Sequence, residues 1–139
     1  MDGVTALPVD VRALFAGPNY AHLATVLPSG APHSVPVWTG VEGEHVVFFT
    51  QPASRKARNL ERDPRVAFSI TDHEQPYRMA QIRGRAAGTV EGEEALEIID
   101  RLAVKYTGAP FPMRTGVVFL IEPEKVQSMT LPFSHAPAG

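Results

Sequence analysis

Cysteine is absent from the 139 residues, which excludes disulfides, thiolate catalysis and Cys-ligated metal, and is compatible with a reducing cytosol. Charge of one sign is also lacking. Thirteen Lys and Arg stand against 15 Asp and Glu, for a formal net charge of −2 and a pI near 6.2. No global basic field draws such a chain onto nucleic acid, so any anion site must be local. No apolar run approaches the roughly 18 to 20 residues of a membrane span, and Met1 to Asp10 lacks the basic start and apolar centre of a signal peptide. The expectation is a cytoplasmic protein with neither a membrane nor a nucleic acid as partner. Five histidines are present, but none pairs at i, i+4 on a helix or has an acid at a recognised ligand spacing, so no metal is expected.

What the chain does have is punctuation. Its 13 Pro and 11 Gly point to many turns, and its length fits one domain over residues 1–139 with a single core. Val11, Leu14 and Phe15 repeat at helical spacing over Asp10 to Ala16, with Asp10 as N-cap and Gly17-Pro18 as stop. Tyr20 to Leu27 alternates as a strand into the Pro28-Ser29-Gly30 turn. His33 to Val41 and His45 to Thr50 flank a short Gly-bearing loop, as a hairpin would. Pro36 has no N–H for a ladder, which marks its strand as an edge or a bulge. Ser54 caps a helix to Arg62, and Asp63-Pro64 ends it. Arg65 to Thr71 reads as a strand and Tyr77 to Val90 as a long one, bent at Gly84 and Gly88. Glu91 to Tyr106 is a third helix, of apolar period 3.6, with acids first and Lys105 last. Gly116 to Glu122 and Glu124 to Leu131 close the order as two strands. Loops this short join antiparallel neighbours, so a barrel with helices at its ends is favoured over a parallel sheet.

The chemistry concentrates at Thr50-Gln51-Pro52-Ala53-Ser54-Arg55-Lys56. A helix start offers unpaired N–H groups and a partial positive charge, Thr50 and Ser54 add hydroxyls, and Arg55 and Lys56 add fixed charge. This is an anion site in chemical terms, and Arg58 and Arg62 extend its basic surface along the helix. A solvated basic helix face is the competing reading.

Thr50 to Ile70, written T-x-x-x-S-R-K-A-x-N-L-x-x-D-P-R-V-A-F-S-I, resembles the pyridoxamine-phosphate-oxidase-like split-barrel family. So do Ala24 to Trp38 (A-T-V-L-P-S-G-A-P-H-S-V-P-V-W) and the R-G-R-A of Arg83 to Ala86. The resemblance implies a six-stranded antiparallel split β-barrel with flanking helices, working as a homodimer whose interface forms two cofactor clefts. By that likeness Ser54, Arg55 and Lys56, with Thr50 beside them, hold a cofactor phosphate, while Val35, Pro36, Val37 and Trp38 lie along a flavin-type ring. Two departures matter. The family's C-terminal arginine and histidine motif is missing after Leu131, which argues against pyridoxamine phosphate as substrate. Counting back from Gly84 without gaps, Met79 stands where the family has a glutamine that contacts FMN. The P-H-x-x-P-V-W and R-N-L-x-x-D-P-R-V segments are similar to the actinobacterial branch that uses the deazaflavin coenzyme F-420, whose oligoglutamyl tail suits extra arginines.

The implied function is hydride transfer from reduced coenzyme F-420 to a small conjugated substrate. FMN on the same fold, or a non-catalytic flavin-binding protein, are the alternatives. No catalytic side chain is assigned. Where a proton must be supplied, water or Tyr77 is the source, and the structural reading of Tyr77 is the stronger one. The C-terminal segment Met129 to His135 is expected to approach the cleft.

Overall fold

A computed structural model describes residues 6–139. Of the stretch read for a signal peptide, residues 1–5 lie outside the described part. In chain order the elements are α1 (Val9–Ala16), β1 (Ala21–Val26), β2 (Pro32–Val37), β3 (Gly40–Glu42), β4 (His45–Thr50), α2 (Arg55–Arg62), β5 (Arg65–Thr71), β6 (Arg78–Val90), α3 (Gly92–Thr107) and β7 (Val117–Thr130). All strand pairs are antiparallel, in one open sheet of order β2-β1-β5-β6-β7-β4-β3. No described helix is long and apolar enough to cross a membrane.

The mainly β architecture agrees with the sequence reading, and three details correct it. The sheet has seven strands and is not closed, where six in a barrel were expected. One cause is that His33 to Val41 does not run as a single strand. It breaks at Trp38-Thr39, where the Thr39 N–H bonds to the Tyr106 hydroxyl at 3.1 Å and leaves the ladder. Its two pieces, β2 and β3, end at opposite edges of the sheet. Second, the two expected C-terminal strands are one, β7. Pro123 is absorbed opposite Gly84, beside the register shift between Arg83 and Gly84, since a bulge can accept a proline without losing the pairing on either side. Third, Asp10 does not cap α1. Pro8 occupies the N-cap and its carbonyl accepts from the Arg12 N–H at 2.9 Å, leaving Asp10 in the first turn, where the helix dipole favours an acid.

Gly84 is required at its position by close approach. A Cβ there would lie 2.2 Å from the Glu122 carbonyl oxygen. This close approach sits beside the register shift that divides the pairing of β6 with β7. Residues 78–83 pair with 125–130 beside β5, and residues 85–90 pair with the part of β7 that also carries β4.

The main core lies on the side of the sheet covered by α1, which buries Val11, Leu14 and Phe15 against it. Each such side chain contributes about 1.5–3 kcal/mol relative to exposure. Phe15 meets Phe68 edge-on at 5.7 Å, and Phe48 stacks on Phe119 at 5.3 Å. β4 is buried on both faces, which is why it reads as an unbroken apolar run. Val46 and Phe48 join the main core, while Val47 joins a second one under α3 with Ala95, Ile98, Ile99, Leu102 and Val118.

Candidate functional site

The start of α2 is built as the sequence suggests. Ser54 is the N-cap, and its Oγ accepts from the Ala57 N–H at 3.2 Å. It also accepts from the Thr50 hydroxyl at 2.8 Å. A hydroxyl that accepts twice keeps its own proton free to donate, so Ser54 remains a donor toward an anion. The N–H groups of Arg55 and Lys56 are the helix's remaining orphan donors. The back of α2 is fixed to β1 by Ala57 and Leu60 in the core. Asn59 adds a bond from its Nδ2 to the Thr25 hydroxyl at 3.0 Å, and Arg62 donates to the Val26 carbonyl. Arg62 stays exposed beside that contact, as does Arg58.

Lys56 turns from this helix into a cavity of about 350 Å³ whose walls also include Tyr20, Pro36, Val37, Trp38, Phe49 and Phe111. Partial burial lowers the pKa of its ammonium below the usual lysine value, and an anion sharing the site would offset that by favouring the charged form. Two separate segments of the sequence reading, Pro36 to Trp38 and the α2 start, therefore meet at one place. Trp38 stacks face to face on Tyr106, with centroids at 5.3 Å and planes 7° apart. One face of the indole is thus already occupied. Phe49 and Phe111 meet its edges at 6.0 and 6.3 Å. Tyr106 is held in turn by its hydroxyl, which donates to the Asn19 carbonyl at 2.6 Å and accepts from the Thr39 N–H. Its neighbour Lys105 donates to the carbonyls of Phe15, Ala16 and Thr39. Burial pushes the Lys105 ammonium down to about 8.

The other expected site residues divide. Val35 packs toward the main core and away from the cavity. Thr50 is buried with its hydroxyl committed to Ser54. Arg55 is exposed and carries no ion pair among the described residues. Met79 lines a different cavity, of about 590 Å³, on the open face of β1, β5, β6 and β7, together with His22, Ser69, Gln81, Gln127 and Met129. Tyr77 lines neither cavity and packs edge-on against Phe133 at 5.3 Å. Of the expected C-terminal approach, Met129 reaches the open-face cavity, while Phe133 is spent on Tyr77. Tyr20, Phe49, Phe111 and Tyr106 were not anticipated. Tyr106 showed only as a helix C-terminal aromatic, and no local pattern marked it as Trp38's partner.

A family model described as pyridoxamine 5'-phosphate oxidase matches residues 7–130. The chain belongs to this family. Among solved structures, an F-420 reductase is similar at 28% identity over 87% of this chain and 98% of its own, with a TM-score of 0.76. A conserved hypothetical protein from Mycobacterium tuberculosis is 26% identical over 100% of this chain and 96% of its own, with a TM-score of 0.77. General stress protein 26 from Bacillus anthracis, at 17% identity, a TM-score of 0.68 and coverage of 86% and 91%, shares the oxidase-family fold. No curated protein matches the chain.

Proposed function

We propose that this member of the pyridoxamine 5'-phosphate oxidase family is an oxidoreductase that binds reduced coenzyme F-420, with FMN as the alternative cofactor. The observation that carries the reading is the meeting of Pro36, Val37 and Trp38 with Lys56 at one aromatic-walled cavity beside the α2 start. The donor set fits a phosphate: two orphan N–H groups, the free Ser54 proton, and the Arg55 and Lys56 cations. The edge position of β2 leaves one side of its backbone unpaired, open to the polar rim of a planar ring. The similarity to an F-420 reductase supports the deazaflavin over FMN, as does Met79 in place of the family's glutamine.

When bound, the cofactor supplies the hydride for a small conjugated substrate. The protein's part is positional. Trp38, fixed by Tyr106, shapes one wall, Phe49 and Phe111 exclude water, and Lys56 with Arg55 anchors the anionic end. In one copy Met79 and Lys56 line different cavities. A cofactor touched by both requires two copies, and the functional unit we propose is a homodimer.

Fluorescence titration with each cofactor separately tests the assignment. Arg55→Ala and Lys56→Ala should each weaken binding about ten- to a hundredfold, with folding retained because neither side chain is in the core. Light scattering should give twice 15.1 kDa. Unchanged affinity for both cofactors in the double variant would overturn the site, and a monomer that still binds would overturn the shared cleft.

A further inference from the structure

Thr39 marks the place where the chain leaves one margin of the sheet for the other, and residues outside the ladder hold it there. Its N–H donates to the Tyr106 hydroxyl at 3.1 Å, and its carbonyl accepts from the Lys105 ammonium. Two consecutive residues in the last turn of α3 thus take both backbone polar groups of one residue. The Thr39 hydroxyl is buried and has no hydrogen-bond partner among the described residues, so the side chain adds no polar anchor of its own. Trp38, one residue before, is placed in its cavity by this grip and by its stack on Tyr106.

Lys105 ties the grip to a third element. The same ammonium donates to the Phe15 and Ala16 carbonyls at 3.3 and 3.1 Å, where α1 ends and its last carbonyls lack intrahelical partners. It also lies 4.8 Å from the centroid of the Tyr106 ring, a face that attracts a cation. Three carbonyls need three N–H donors, which an ammonium has and a neutral amine does not. The partial negative charge at the end of α1 likewise favours the charged form, while burial opposes it and brings the ammonium down to about 8. No carboxylate pairs with Lys105 among the described residues. On α1, Arg12 is paired with Glu44, and Asp10 lies in the first turn, at the other end from Phe15; on α3, Arg101 is paired with Glu42 of β3. Tyr106 and Tyr20 are the titratable rings at hand, and His73 meets this region through its backbone bond to Asn19.

We propose that Lys105 is a positioning residue for the Trp38 wall: its charged form clamps Thr39 against the end of α1, and loss of the proton frees one carbonyl and lets the wall relax. Lys105 does not line the cavity and acts through Thr39 and Tyr106. The consequence for binding rests on the cofactor reading of that cavity, whereas the clamp itself does not. Release does not threaten the fold. With a folded value of about 8 against an ordinary 10.5, the unfolded chain holds this proton more readily, so the group's contribution to stability rises as pH rises between those two values.

Trp38 is the single tryptophan, so its emission reads the wall in the full chain without any ligand. From about pH 7 to 9.5 the wild-type emission should shift to the red and quench more readily with acrylamide, following one proton with a midpoint of about 8. Far-ultraviolet circular dichroism should stay constant. Lys105→Met should hold Trp38 in the released state at every pH, and Lys105→Arg, which keeps its charge and its donors, should hold it in the clamped state. Lys56→Gln and Tyr20→Phe, which remove the other titratable groups lining the cavity, should keep the transition. Between pH 7 and 9, affinity for coenzyme F-420 should fall about three- to tenfold more in the wild type than in Lys105→Met. A flat wild-type emission profile overturns the proposal, as does a transition that survives in Lys105→Met or vanishes in Lys56→Gln or Tyr20→Phe. Should Lys105→Met fail to fold, a transition retained in Lys105→Arg overturns it. An equal fall in F-420 affinity in both proteins overturns the clamp's role at the cavity. If neither F-420 nor FMN binds while the emission behaves as stated, the cofactor reading fails and the clamp stands.

Discussion

The two larger cavities are built on opposite plans. Around Trp38 the aromatic rings are held by one another and by the backbone: the indole by Tyr106, Tyr106 by Asn19 and Thr39, and Phe49 by Phe111 at 5.0 Å. Around Met79 the lining is two methionines, paired glutamines and small hydroxyls on a bare sheet face. Interlocked aromatics lose little freedom when a rigid ring arrives, whereas methionines adapt to varied surfaces. The first plan suits one planar ligand. The second suits a contact that must accommodate.

Breaking the junction between the two regions should have the largest effect. Gly84→Ala drives a methyl into the Glu122 carbonyl, backbone against backbone, and should cost about 3 kcal/mol or more. Urea unfolding would show a large fall in midpoint, or the variant would not accumulate as folded protein. An unchanged midpoint would mean that the two backbones can part there without loss.

Truncating one member of each lining sharpens the contrast. Tyr106→Ala should cost about 2–4 kcal/mol through lost packing. Tyr106→Phe should cost about 1 kcal/mol, because the Thr39 N–H loses its acceptor. Met129→Ala, on an exposed side chain, should stay within about 0.5 kcal/mol. Trp38 is the single tryptophan, so its emission should shift in both Tyr106 variants and stay fixed in Met129→Ala.

The smallest effect concerns acid. Asp63, at the end of α2, bonds to the Arg65 side chain at 3.0 and 2.7 Å and to its N–H, which holds its carboxyl down to about 2 against an ordinary 3.8. The folded state therefore binds this proton less readily than the unfolded chain. The contribution is complete above about pH 4 and is lost as pH falls through about 2. Asp63→Asn should lower the urea midpoint slightly at pH 7 and flatten its decline across that window by the same small amount, small because the pair is exposed.

Local chemistry was legible in the sequence, and long-range placement was not. Ser54 as a cap followed from its position before a run of helix formers, and Arg65 to Thr71 appears with those bounds because Pro64 and the Asp72 loop punctuate it. The break at Trp38-Thr39 was hidden because its cause, the Tyr106 hydroxyl, lies 67 residues away. Pro123 looked like a strand end because nothing nearby announces that Gly84 will make room for it. At the site, the Ser54 cap and the cations beside it at the start of α2 could be read from residue types alone. That Lys56 would face Trp38 while Met79 would not is a property of the sheet order.

The two outer strands also bear on how copies of this chain can meet. An open sheet exposes a row of unpaired backbone groups at each margin, which invites strand addition and open-ended aggregation. Here β2 carries Pro32 and Pro36, which have no N–H to offer an incoming strand, and β3 is only three residues long. Neither margin makes a good template. The homodimer proposed above would thereby be steered away from the edges and toward the sheet's bare face, where a two-fold contact closes on itself and growth stops at two copies.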